Sequence, residues 1–199
     1  MKIPVSLFLL FYLMAISSKA FVAKSFSAGI GYQSENVLGK ITQSATGAKS
    51  VLGTAVYPLL IEYEMTVTKD LFFAPRLTYT LLTRSATGSS GKVTEWHLLL
   101  PLGMNINNGP WDWSAGLGIY NSKFSGSGGV VTLSNGNGTS QFALPGGTSE
   151  TRLISVNAGT SYRMGKNSFG FDLITTGTFS DKRTIHLMLS YMYQFSGGR

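Results

Sequence analysis

From Phe21 onward, apolar and polar residues alternate with a period of two, and helical periodicity is almost absent. The clearest stretch is Tyr57-Pro58-Leu59-Leu60-Ile61-Glu62-Tyr63-Glu64-Met65-Thr66-Val67. Its odd positions are apolar, and its even ones include Glu62, Glu64 and Thr66. Near the end, Ile185, Leu187, Leu189, Tyr191, Tyr193 and Phe195 share one face, while Thr184, His186, Ser190 and Gln194 share the other. Successive side chains of an extended strand point to opposite sides, so each segment reads as a strand with one apolar and one polar face. The pattern predicts eight strands, at about 24–38, 56–68, 71–84, 93–106, 111–121, 151–164, 169–179 and 184–195. They average more than ten residues. Strands of soluble domains run to about five or six, whereas a tilted membrane-spanning strand needs about nine to eleven. The expected fold is all-β: an eight-stranded antiparallel up-and-down transmembrane β-barrel.

The connections carry a second regularity. Lys69-Asp70, Asn107-Asn108-Gly109-Pro110 and Gly165-Lys166-Asn167-Ser168 are tight turns of the residues that favour them. Between them, 39–55, 85–92 and 122–150 are longer and rich in Gly, Ser and Thr, and 180–183 is short but strongly polar. Short periplasmic turns alternating with longer extracellular loops are the habit of outer-membrane barrels, and an even strand number leaves both termini on the periplasmic side. Within 122–150, segments 130–133 and 140–144 flank Asn135-Gly136-Asn137-Gly138, a hairpin signal. Strands five and six are expected to continue there as a two-stranded flap; a Gly/Ser loop is the plainer alternative. The sequon Asn137-Gly138-Thr139 is explained by the same turn.

Composition narrows the setting. The 199 residues suit one domain, only 13% are charged, and there is no cysteine for a disulfide framework or a thiolate metal site. An ordinary soluble domain carries roughly 25% charged residues, so this chain has either a large dry core or a face in lipid. Lys2, an apolar run over 5–16 and Ser18-Lys19-Ala20 read as a secretory signal peptide over 1–20, leaving 21–199 as the barrel domain. The run of about twelve residues is too short for a spanning helix, which needs roughly twenty. Without Lys2 and Lys19, 14 basic and 9 acidic residues remain, a net +5. Nucleic acid is no expected partner of an exported chain.

Which face looks outward decides between a membrane barrel and a soluble, lipocalin-like one. The polar face carries Glu62, Glu64, Arg76, Glu95, His97, Asp172 and Arg163. If the apolar face meets lipid, these groups occupy a narrow lumen and must pair, because a lone buried charge is expensive. A two-residue turn at Lys69-Asp70 puts Arg76 opposite Tyr63, between Glu62 and Glu64; the next hairpin puts Arg84 near Glu95 and His97 opposite Thr80. Such a network fills an eight-stranded barrel, whose interior has room only for side chains. The aromatic residues agree. Phe73, Trp111, Trp113, Phe169, Phe171, Tyr193 and Phe195 fall beside the short turns or the C-terminus, and Tyr57, Tyr79, Trp96 and Phe179 beside the longer loops. Two such belts are the expected interfacial girdles.

On these features the chain resembles the small eight-stranded outer-membrane barrels of Gram-negative cell envelopes, a group that includes the OmpA transmembrane domain and OmpX-like proteins. Tyr191-Met192-Tyr193-Gln194-Phe195 resembles the C-terminal strand that the barrel-assembly machinery recognises, which implies an assembly signal in Tyr191, Tyr193 and Phe195. In that group the aromatic residue usually comes last, whereas here Ser196-Gly197-Gly198-Arg199 follows.

The same class includes enzymes that remodel lipid A, and its deacylases share a His-x-Ser pair on a lipid-facing strand. Here His97 is followed two positions later by Leu99, and His186 by Met188, and both histidines fall on the lumen face. A nucleophile would need a base within hydrogen-bond reach and a third group to orient it, so a histidine with no hydroxyl within about 3.5 Å cannot serve. Two isolated histidines do not make a metal site, and no cofactor is expected. What remains is the loop rim, with Lys40, Lys49, Arg84, Lys92, Lys123, Arg152, Lys182 and Arg183 against Glu35, Glu150 and Asp181. Such a collar suits the phosphates of lipopolysaccharide. The expectation is a monomeric, non-enzymatic structural or interaction protein of the outer membrane, porin-like only in fold. The alternatives are a lipid-A-modifying enzyme and a narrow channel or small-ligand carrier.

Overall fold

The computed structural model describes residues 24–34, 41–42, 49–50, 55–80, 84–85, 92–106, 109–134, 139–143, 146–179 and 183–196. The expected signal peptide, Lys40, Lys182 and the 135–138 turn lie outside them. Eight strands form a ring: β1 (Lys24–Ser34), β2 (Pro58–Thr66), β3 in two pieces (Leu71–Phe73 and Arg76–Thr80), β4 (Lys92–Asn105), β5 (Trp111–Ser127), β6 (Gly146–Met164), β7 (Asn167–Thr176) and β8 (Thr184–Ser196). Each pairs antiparallel with its neighbours in sequence, and β1 pairs with both β2 and β8. Closure leaves the ring no free edge, which is what allows a sheet to satisfy its backbone groups within lipid.

The break in β3 falls at Ala74-Pro75. Proline has no N–H to give, so the ladder runs through other atoms: Tyr63 N–H donates to the Pro75 carbonyl and Ala74 N–H to that of Pro101, both at 3.0 Å. Pairing with β2 resumes on either side in one register, Met65 opposite Phe73 and Glu62 opposite Arg76.

β5 and β6 reach well beyond the others. Their ladder runs from Trp111 opposite Tyr162 to Ser127 opposite Gly146, while β4 stops pairing with β5 at Lys92 and β7 with β6 at Thr176. Gly128 and Gly147, with φ of 72° and 82°, then turn the chain into a second ribbon, Val130–Ser134 against Thr139–Ala143. The two-stranded continuation expected at 122–150 is thus present as paired strands.

The apolar face points out. Ile30, Leu59, Ile61, Leu102, Ile119 and Leu189 are all 40–60% exposed on the exterior, while the alternate positions are buried. A soluble barrel has the opposite polarity, and leaving so much apolar surface in water costs about 25 cal/mol per Å². The exterior is that of a membrane-spanning barrel. Inside, glycines make room for larger neighbours. A Cβ at Gly103 would overlap the Phe72 ring, one at Gly159 the Asp172 carboxylate, and one at Gly170 the Ser190 hydroxyl. These strand glycines, poor β formers in themselves, are the cost of filling a narrow lumen.

Candidate functional site

The lumen is filled in three layers. Nearest the short turns lies an ionic layer. Glu62 and Arg76 are directly opposite each other on β2 and β3, and Arg76 donates to Glu62 Oε2 and, from Nη1, to Asp172 Oδ2 on β7, each at 2.7 Å. Arg163 on β6 donates to Glu64 on β2 and to Asp112 on β5. Its guanidinium also lies over the Phe72 ring, 5.7 Å from the centroid. Asp112 accepts a further bond from Asn105 Nδ2 at 2.9 Å. Two guanidiniums therefore tie together five strands and four carboxylates.

This departs from the pairing expected from sequence, in which Arg76 sat between Glu62 and Glu64. Val67 and Thr68 both donate to the Leu71 carbonyl, at 2.8 and 3.0 Å, so the turn spans three residues rather than two. The added residue moves Arg76 from opposite Tyr63 to opposite Glu62 and leaves Glu64 to Arg163. Asp112 was missed, although its alternation with Trp111 and Trp113 places it on the inner face.

Above the ionic layer comes an apolar one, formed by the fully enclosed Leu60, Leu99, Ile174 and Met188 with Met192 beside them. It separates Glu95 and His97 from the Arg76 cluster, so the six residues expected to form one network fall into two groups. His97 lies opposite Thr78 rather than Thr80. The β3–β4 register is offset by two residues from the Arg84–Val93 pairing nearer the loop, which is the register that reading the loop as 85–92 gives.

The third layer faces the loop end. The Tyr120 hydroxyl donates to Glu95 Oε1 at 2.5 Å. The His97 ring meets Tyr120 edge-on at 4.6 Å and lies 6.1 Å from the His186 ring. His186 Nε2 is 2.9 Å from the Thr184 hydroxyl and 3.2 Å from that of Thr176. A base and a hydroxyl are thus within reach of each other. The opposite ring nitrogen, Nδ1, faces the Gln33 amide at 3.5 Å, where a triad would put a carboxylate. Thr176 and His186 are buried in the lumen, away from any lipid chain. Among the described residues, no group of three or more potential ligands could hold a metal ion.

At the loop end, Lys92 opens β4, Lys123 lies opposite Glu150 on β5–β6, Arg152 follows two residues on, and Arg183 leads into β8. All four are exposed. Arg152 is partly neutralised by Glu150 at 2.9 Å. The backbone of Arg84 pairs with that of Val93 on the neighbouring strand, and Lys49 lies in a short pairing with Thr42.

The expected aromatic residues lie outward: Trp111, Trp113, Phe169, Phe171, Tyr193 and Phe195 towards the turns, and Tyr57, Tyr79 and Phe179 towards the loops, all exposed, with Phe73 and Trp96 half-buried. Phe26, Tyr162 and Tyr191 extend the turn-side row. Tyr193 and Phe195 meet edge-on at 5.1 Å, and Phe195 meets Phe26 across the β1–β8 seam at 6.1 Å.

No family model and no curated protein matches the chain in sequence. Solved structures match it in shape. Ail, the attachment invasion locus protein of Yersinia pestis, crystallised with the heparin analogue sucrose octasulfate, aligns at a TM-score of 0.54 and 13% identity, covering 87% of this chain and 98% of Ail. A second structure of Ail gives a TM-score of 0.51 over the same shares, also at 13% identity. Neisserial surface protein A aligns at 0.46 and 12%, covering 86% of this chain and 97% of its own. At 13% identity the two Ail structures are similar to the chain in fold alone: it has the fold of the small eight-stranded outer-membrane barrels.

Proposed function

We propose that the protein is a non-enzymatic interaction protein of the bacterial outer membrane, inserted by the barrel-assembly machinery as a monomer. Its short turns face the periplasm, and its loop rim meets anionic groups outside. The observation that carries this reading is a contrast along one axis. The lumen is closed by three packed layers, while exposed Lys92, Lys123 and Arg183 stand at the loop end beside the protruding β5–β6 ribbon. A sealed interior with a basic collar suits contact with phosphates or sulfates better than transport or chemistry. That a barrel of this fold, Ail, was crystallised with a sulfated sugar supports a polyanion as the ligand class. Lipopolysaccharide phosphates in the same leaflet are the nearest source.

The test is binding of the refolded protein to immobilised lipopolysaccharide and to heparin over a salt series. Binding that weakens with salt, and weakens further with a shallower salt slope in a Lys92→Gln, Lys123→Gln, Arg183→Gln variant, is the expected result. Equal binding by the variant would overturn the reading.

A further inference from the structure

The outer wall carries a depression of about 490 Å³ that runs from Leu71 on β3 across β4, β5 and β6 to Phe171 on β7. Ala115 and Ala158, directly paired on β5 and β6, form its floor. Leu102 and Met104 flank these small residues on β4, Phe171 stands beyond them on β7, and Trp113 follows Ala115 along β5 towards the turns. A barrel wall is convex, so a slot needs such a pair of small side chains among large ones.

The height of the slot identifies its occupant. Six strand residues and then the two-residue turn separate Ala158 from Lys166; at about 3.3 Å per strand residue and a strand tilt near 40° this is roughly 15 Å along the bilayer normal to the end of the strand, and a few Å more to Lys166. Half of a bilayer including its headgroups is about 20–22 Å. With exposed Lys166 at the headgroups, the slot floor lies a few Å on the turn side of the midplane, and its lining extends from there towards the turns through Thr160 and Leu71. Between the slot floor and Lys166 runs an aromatic row of Trp111, Tyr162 and Phe169, with Trp111 and Tyr162 in edge contact at 5.0 Å. Such a row belongs at the glycerol level.

We propose that the slot holds one acyl chain of a turn-side-leaflet phospholipid, its backbone against the aromatic row and its phosphate on Lys166. A chain lying there touches protein on three sides rather than one, which multiplies its dispersion contacts over those of an ordinary boundary lipid. The inference rests on the membrane reading above, and deepens it by adding a defined lipid to the wall.

The test uses protein reconstituted in phosphatidylethanolamine–phosphatidylglycerol vesicles, re-extracted in mild detergent and weighed by native mass spectrometry. Insertion is checked first by heat-modifiable gel migration. The wild type should retain one phospholipid. Ala158→Phe, which fills the slot, should lose it, Lys166→Gln should lose most of it, and Leu59→Phe on the far wall should keep it. Equal retention in Ala158→Phe and Lys166→Gln, or no retained lipid in an inserted wild type, would overturn this inference alone. A dimer mass that disappears in Ala158→Phe would overturn it in favour of a second copy on this face. A wild type that does not insert would overturn the membrane reading and the lipid site together. Should Ala158→Phe fail to fold, Lys166→Gln still decides.

Discussion

Replacing Arg76 by leucine removes one guanidinium on which two carboxylates converge. The side chains of Arg76, Glu62 and Asp172 are only 10%, 13% and 4% exposed, and both contacts are 2.7 Å. Water therefore cannot take over the role of the missing cation without opening the lumen. Breaking a buried ion pair by deleting one partner costs about 3–5 kcal/mol, because it leaves an uncompensated charge in a medium of low polarity. Two carboxylates lose their partner here, so Arg76→Leu is expected at the upper end of that range. The folded-to-unfolded ratio should fall by at least two decades, at about 1.4 kcal/mol per decade. The control is a triple variant, Glu62→Gln, Arg76→Leu, Asp172→Asn, which removes the charge without refilling the site. Replacing a whole buried ionic group by well-packed apolar side chains is often close to neutral in energy; the amides introduced here remain polar, so the triple variant should recover part of the loss. Urea unfolding in detergent micelles, followed by tryptophan fluorescence and by heat-modifiable migration, measures both. The reasoning fails if Arg76→Leu costs less than about 1 kcal/mol, far below what a buried, unpaired charge demands. It also fails if the triple variant is no more stable than the single one.

Three further outcomes follow from the same interior. Tyr120→Phe removes a hydroxyl that donates to a buried carboxylate at 2.5 Å, and should cost about 1.5–3 kcal/mol in the same unfolding assay. Gly103→Ala pushes a methyl into the Phe72 ring and should cost about 1–3 kcal/mol; Phe72→Leu in the same chain should return part of it, whereas equal losses in the single and double variants would show the ring is not the obstacle. The wild type in a planar bilayer should show no stepwise conductance, since Leu60, Leu99, Ile174 and Met188 fill the section between the two polar layers. Reproducible steps would disprove a sealed lumen.

Strand polarity was readable because each strand is exposed to two solvents. Glu62 and Glu64 alternate with Ile61, Tyr63 and Met65, and one face had to be lipid. The outward placement of Trp111, Trp113 and Phe169 was readable for the same reason, since each alternates with a residue of the inner face. The apolar layer of the lumen was hidden. Leu60 lies in the run Leu59-Leu60-Ile61 and Leu99 between Leu98 and Leu100, so alternation in composition vanishes where both faces are apolar. Register was the other hidden quantity. Whether the β2–β3 turn holds two residues or three is set by where the Leu71 carbonyl finds its donors, and that choice sent Glu64 to Arg163 instead of Arg76. Asp112 was overlooked because Trp111 and Trp113, at its sides, spoke only for the girdle.

The ionic layer has a consequence for how the ring can close. Its partners lie up to 99 positions apart in the chain, on five strands that meet only when the cylinder is complete. A slip of one residue in any of them would swing its charge from the lumen to the lipid and leave its partner stranded. A slip of two would keep the charge inside but draw it out of reach. The layer therefore ties the register of one strand to that of the others. Misaligned rings are penalised by several unpaired charges at once, and the correct alignment is the one in which the ledger of charges inside the cylinder comes out matched.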